Sequence, residues 1–102
     1  MLDKTATDWK QAARDLAIEG RAFIDGRYVD ALSGETAPTV NPATGVELAL
    51  AARCGPQDAD LAVQGARRAF EDGRWTGTAP ADRKAVMVRR AQLSERHAED
   101  PA

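Results

Sequence analysis

Apolar residues near the start of the chain fall at Trp9, Ala12, Ala13, Leu16 and Ala17. That spacing lines one face of a helix. Thr5 stands where a cap would, with Asp8 three residues on in the capping-box arrangement, and Gly20 is the predicted stop. The period then changes to two. Phe23-Ile24 and Tyr28-Val29 flank Asp25-Gly26, a pair suited to the tight hairpin turn whose two central residues need positive φ. Ser33-Gly34 predicts a further turn, Thr39-Val40 a short extended piece, and Asn41-Pro42-Ala43-Thr44-Gly45 a turn fixed by its proline. Val46, Leu48, Leu50 and Ala52 alternate with Glu47, Ala49, Ala51 and Arg53, which predicts a strand with one buried face.

Gly55-Pro56 breaks that strand, and Pro56 or Asp58 opens a second helix with Asp58 and Asp60 near its positive end. Ala59, Ala62, Val63, Ala66 and Phe70 form its apolar stripe. After the loop Gly73-Arg74-Trp75-Thr76-Gly77, Pro80 suits the first turn of a third helix reaching about Glu99. Its apolar face, with Ala85, Val86, Met87, Val88, Ala91 and Leu93, is interrupted by Arg90 and Ser94. The fold class is mixed α/β: an N-terminal helix, a β-hairpin and a strand, then two helices. Strands and helices do not alternate as complete βαβ units, so no parallel sheet closes within the chain.

Composition sharpens this picture. The chain has 102 residues, room for one small domain. Alanine supplies 21 of its 44 hydrophobic residues, while Leu, Ile, Val and Phe together number 17. Alanine brings little area to bury, so the core is thin and the stability expected of the isolated chain is marginal. A net charge of −2 argues against a nucleic-acid partner. No apolar run is long enough to span a membrane. Met1 to Asp15 mixes charges with Ala and Thr and lacks the apolar stretch of a signal peptide. One cysteine forms no internal disulfide. These features together predict a cytoplasmic protein.

Candidate chemistry is sparse. Cys54 is the lone thiol, with Arg53 beside it and a helix beginning soon after. A nucleophilic cysteine needs a base or cationic surroundings, yet the lone histidine, His97, is far along the chain, so a structural or incidental thiol is the reading. His97 fits the negative end of a helix dipole. One His and one Cys do not make a zinc site. The glycines match no phosphate-binding spacing, and Gly73 and Gly77 read as turn residues. Arg83-Lys84 and Arg89-Arg90 read as a solvated helix surface partnered by Glu95 and Glu99. Trp9, Trp75, Phe23, Phe70 and Tyr28 read as packing anchors, some of them facing a larger body. No catalytic, cofactor-binding or metal-binding residue is assigned.

Several stretches taken together resemble the N-terminal part of the aldehyde dehydrogenase superfamily. They are Phe23 to Val29, Thr39 to Gly45, Asp58 to Val63, Ala66 to Phe70, Gly73-Arg74-Trp75, and Pro80 to Arg83 with the helix that follows. The order and spacing agree over residues 20–99. Leu16-Ala17-Ile18-Glu19 and Arg83-Lys84-Ala85-Val86 further resemble bacterial members acting on γ-glutamyl-γ-aminobutyraldehyde and related ω-aminoaldehydes of polyamine breakdown.

The resemblance implies a much longer enzyme with a Rossmann-like coenzyme domain, a catalytic domain and an oligomerisation arm, forming dimers or tetramers. In that family a cysteine attacks the aldehyde, the hemithioacetal gives hydride to NAD(P)+, and a glutamate-activated water releases the acid. An asparagine side chain and a backbone N–H hold the oxyanion. All of these residues lie beyond the stretch matched here. Cys54 does not match the nucleophile's motif. In some members, carbonyls around the stretch matching Thr39-Val40 help bind a monovalent cation, but the other ligands come from elsewhere and no site is assigned. Ala79 stands where relatives often place a serine cap, and Asp100-Pro101-Ala102 replaces a continuing helix.

Residues 1–102 are thus expected to be a partial coenzyme-domain segment, its outer part, cut or truncated ahead of the chemistry. It would be inactive alone and need no NAD or NADP of its own. Its partner would be the rest of a parent enzyme, and only the full-length protein would form a homo-oligomer. Two rivals stand beside this reading. One is a small stand-alone interaction module using its exposed helix faces. The other is a minimal thiol enzyme built on Cys54.

Overall fold

The computed structural model describes residues 3–98. The expected reach of the third helix to Glu99, and the ending Asp100-Pro101-Ala102, lie outside the described residues.

Helix α1 spans Ala6–Asp15. Its start is the predicted capping box: the Thr5 N–H donates to Asp8 Oδ2 at 2.8 Å, and the Asp8 N–H to Thr5 Oγ1 at 3.3 Å. It ends earlier than expected. Leu16 is already extended (φ −68°, ψ 120°), so Leu16 and Ala17 leave the helical face and Gly20 is not its stop. No residue of α1 is buried. A ten-residue helix without packing on its apolar face has little to prolong it, and Gly20, four residues beyond Leu16, is held by the Ala52 N–H.

Strands β1 (Ala22–Ile24) and β2 (Arg27–Val29) form an antiparallel hairpin, with Ile24 opposite Arg27. Asp25 and Gly26 have φ of 53° and 78°, the two positive values that the predicted turn requires. Phe23 and Tyr28 meet edge to face across the hairpin, ring centroids 5.2 Å apart.

A second hairpin pairs β3 (Thr36–Val40) with β4 (Glu47–Ala52). The turn between them is the predicted one: the Gly45 N–H donates to Asn41 O, and the Ala43 N–H to Asn41 Oδ1. β3 is longer than the extended piece read from the sequence because Pro38 does not interrupt it. Proline is tolerated in an edge strand, and β3 has a single neighbour.

Helix α2 spans Pro56–Glu71, with Gly55 as N-cap and Pro56 in the first turn. Helix α3 spans Pro80–Arg96 and ends on His97. Ala79, as expected from its side chain, caps α3 without a side-chain hydrogen bond.

A few main-chain ties join these pieces. The Ala52 N–H donates to Gly20 O at 2.7 Å and the Arg53 N–H to Glu35 O at 2.8 Å, anchoring the end of β4 to the chain entering β1 and to the chain entering β3. Gly20 lies so close to β4 that a β-carbon there would stand 1.8 Å from Leu50 O. Helix α2 rests on the first hairpin at Gly65, which is buried. A β-carbon there would be 3.4 Å from that of Asp25. Arg68 Nη2 meets Asp25 Oδ2 at 3.4 Å beside it.

The result is a thin slab rather than a ball. The Cα atoms extend 48 × 40 × 16 Å, with a radius of gyration of 18.2 Å; a compact domain of this length has about 13 Å. Among the described residues the buried hydrophobic one is Ala31.

Candidate docking surface

Asp58 organises the centre of the slab. It is the third residue of α2, 5% exposed, and its carboxylate faces two backbone donors. The Gly55 N–H reaches Oδ2 at 2.9 Å and the Leu32 N–H reaches Oδ1 at 3.0 Å. The first bond closes the start of α2 upon itself. The second ties α2 to the turn after β2, next to buried Ala31. These N–H groups, Gly55 before Leu32, hold the Asp58 carboxyl below the usual carboxylate range. The sequence marked Asp58 only as a charge suited to a helix N-terminus. Its long-range bond to Leu32 had no local signal.

The other shifted groups sit in exposed local pairs. Arg74 lowers the Asp72 carboxyl, Arg21 lowers that of Glu19, and the Thr5 hydroxyl and N–H lower that of Asp8. Arg74 binds Asp72 through both Nε and Nη2. Such pairs shape loops and contribute little stability.

The residues weighed for chemistry are dispersed. Cys54 is an exposed free thiol between β4 and α2, while His97 closes α3. Among the described residues, no group of three or more His, Cys, Asp or Glu is placed to hold a metal ion. Gly73 and Gly77 close a tight turn around Trp75: the Gly77 N–H donates to Gly73 O at 2.7 Å, and the Thr78 hydroxyl to Trp75 O at 2.6 Å. The expected pairing of the α3 cations with Glu95 is not among the described ion pairs; Glu99 lies outside the described residues. No described helix is long and apolar enough to cross a membrane.

What the chain does present is uncovered apolar surface. Val46, Leu48 and Leu50, expected on the buried face, are exposed, Leu48 and Leu50 at 51% and 53%, whereas Ala49 and Ala51 are half-buried; a register shift opposite Thr39 and Val40 skips Leu48 and interrupts the alternation. The stripe of α2 is likewise open, with Val63 68% and Phe70 62% exposed. Trp9, Trp75, Phe23 and Tyr28 are all exposed. These side chains lack an opposing layer: α1 and α3 bury no residue of their own. The chain's accessible surface is 8570 Å². A folded monomer of 10.9 kDa exposes about 5600 Å². The excess, roughly 3000 Å², is larger than one partner's share of a standard protein interface, about 800 Å².

Comparison with known proteins gives this surface a context. Residues 28–102 match the aldehyde dehydrogenase family. The chain is 49% identical over 90 residues to an aminoacetaldehyde dehydrogenase of Pseudomonas aeruginosa, covering 88% of this chain and 18% of that protein. It superposes with a TM-score of 0.86 on an indole-3-acetaldehyde dehydrogenase of P. syringae solved in complex with NAD+, at 51% identity, covering 94% of this chain and 19% of that one. The same score is reached with a gamma-glutamyl-gamma-aminobutyraldehyde dehydrogenase from Burkholderia cenocepacia, at 49% identity over 92% of this chain and 19% of that one. The chain spans about a fifth of the length of the relatives it matches.

Proposed function

The chain belongs to the aldehyde dehydrogenase family, and from that premise we propose that it is a structural segment, the outer part of the coenzyme domain of an NAD(P)-dependent aldehyde dehydrogenase. The observation that carries this reading is the uncovered surface. The chain exposes roughly 3000 Å² more than a compact monomer of its mass, and exposed apolar side chains of β4 and α2 are part of that surface. Its partner is the body of such an enzyme, whose layers close over β4 and α2. The segment itself supplies neither nucleophile nor general base, and it is inactive alone. NAD or NADP belongs to the whole enzyme, as does assembly into homo-oligomers.

The substrate class we propose for that enzyme is ω-aminoaldehydes of polyamine breakdown. The support is the identity of 49% to an aminoacetaldehyde dehydrogenase and to a gamma-glutamyl-gamma-aminobutyraldehyde dehydrogenase. The reducing cytoplasm suits the exposed free thiol of Cys54. A stand-alone interaction module would also expose helix faces, but it has no reason to share so much identity with the enzyme's own fold.

The test combines thermal unfolding of the purified 102-residue chain, followed by circular dichroism, with an NAD-dependent aldehyde oxidation assay on the same sample. The expected result is a broad, weakly cooperative transition and no turnover. A sharp transition, or measurable aldehyde oxidation, overturns the proposal.

A further inference from the structure

We draw no further inference here: the strongest candidate, the uncovered apolar patch of Leu48 and Leu50 on β4 with Val63 and Phe70 on α2, belongs to the docking surface on which the proposed function already rests, and nothing in the structure shows another occupant for it.

Discussion

Gly20 offers the sharpest test of how the two hairpins are joined. In Gly20→Ala the new β-carbon meets Leu50 O at 1.8 Å and Leu50 C at 2.9 Å. Carbon and carbonyl oxygen come no closer than about 3.3 Å in ordinary contacts, so the strand and the incoming chain must part by about 1.5 Å. The atoms in the way are main chain, and no side-chain rotation relieves the clash. Parting them breaks the 2.7 Å bond from the Ala52 N–H to Gly20 O. The lost hydrogen bond costs about 1 kcal/mol and the overpacking about 1–3 kcal/mol. Together they amount to about 2–4 kcal/mol of local stability.

Residue-resolved hydrogen exchange on the 102-residue chain reads this directly. The Ala52 amide is expected to be protected in the parent chain. In Gly20→Ala it exchanges roughly thirty- to several-hundred-fold faster, up to the unprotected limit. Amides in the middle of α2 serve as the internal reference and change little. A parent chain without protection at Ala52, or a variant that keeps it, refutes the reasoning.

Asp58→Asn replaces one acceptor oxygen by an amide donor facing a backbone N–H. The Leu32 or the Gly55 amide should then exchange at least roughly tenfold faster, whichever loses its acceptor, since a bond to a charged group is lost. Unchanged exchange at both would count against the described geometry. Asp58 also sets a pH dependence. Its folded-state pKa lies below the ordinary 3.8, so the folded chain binds fewer protons than the unfolded one between those two values. The stabilisation is present above pH 3.8 and is lost as pH falls through the lower, folded-state value. Helical signal followed by circular dichroism should hold from about pH 7 to about pH 5 and decline only below the ordinary carboxylate value; a decline beginning near neutrality would contradict this. Thr5→Ala removes the cap of α1 at a local cost of about 1 kcal/mol. Because α1 buries no residue, chemical-shift changes should stay within that helix, and a spread to β4 or α2 would mean that α1 packs on the body of the chain.

The features legible in the sequence are the local ones. Thr5 with Asp8, Asp25 with Gly26, the Asn41–Gly45 turn and Pro56 each act within a few residues, and each forms the structure its chemistry dictates. The periodicity of β4 and α2 was equally plain. What the pattern does not contain is whether an opposing layer exists, so the expected buried faces are open. Leu16 and Ala17 misled because helical spacing continues past the point where Gly20 must reach β4. The bonds from Gly20 O to Ala52 and from Asp58 to Leu32 join residues 32 and 26 positions apart, and neither leaves a periodic trace. Cys54 and His97 match no nucleophile–base motif at their spacing in the sequence.

The ties at the centre of the slab run mainly through main-chain atoms: Gly20 O, the Ala52 and Arg53 amides, Glu35 O, and the Leu32 and Gly55 amides. Such a junction is indifferent to most of the side chains that surround it. Arg53, Glu35 and Leu32 are free to drift in sequence while their peptide groups keep the same bonds. Tolerance ends at Gly20, where any β-carbon collides, and at Asp58, where a carboxylate of that length alone meets both amides. A saturation library scored for the fold should therefore be permissive almost everywhere along this junction and intolerant at those two positions.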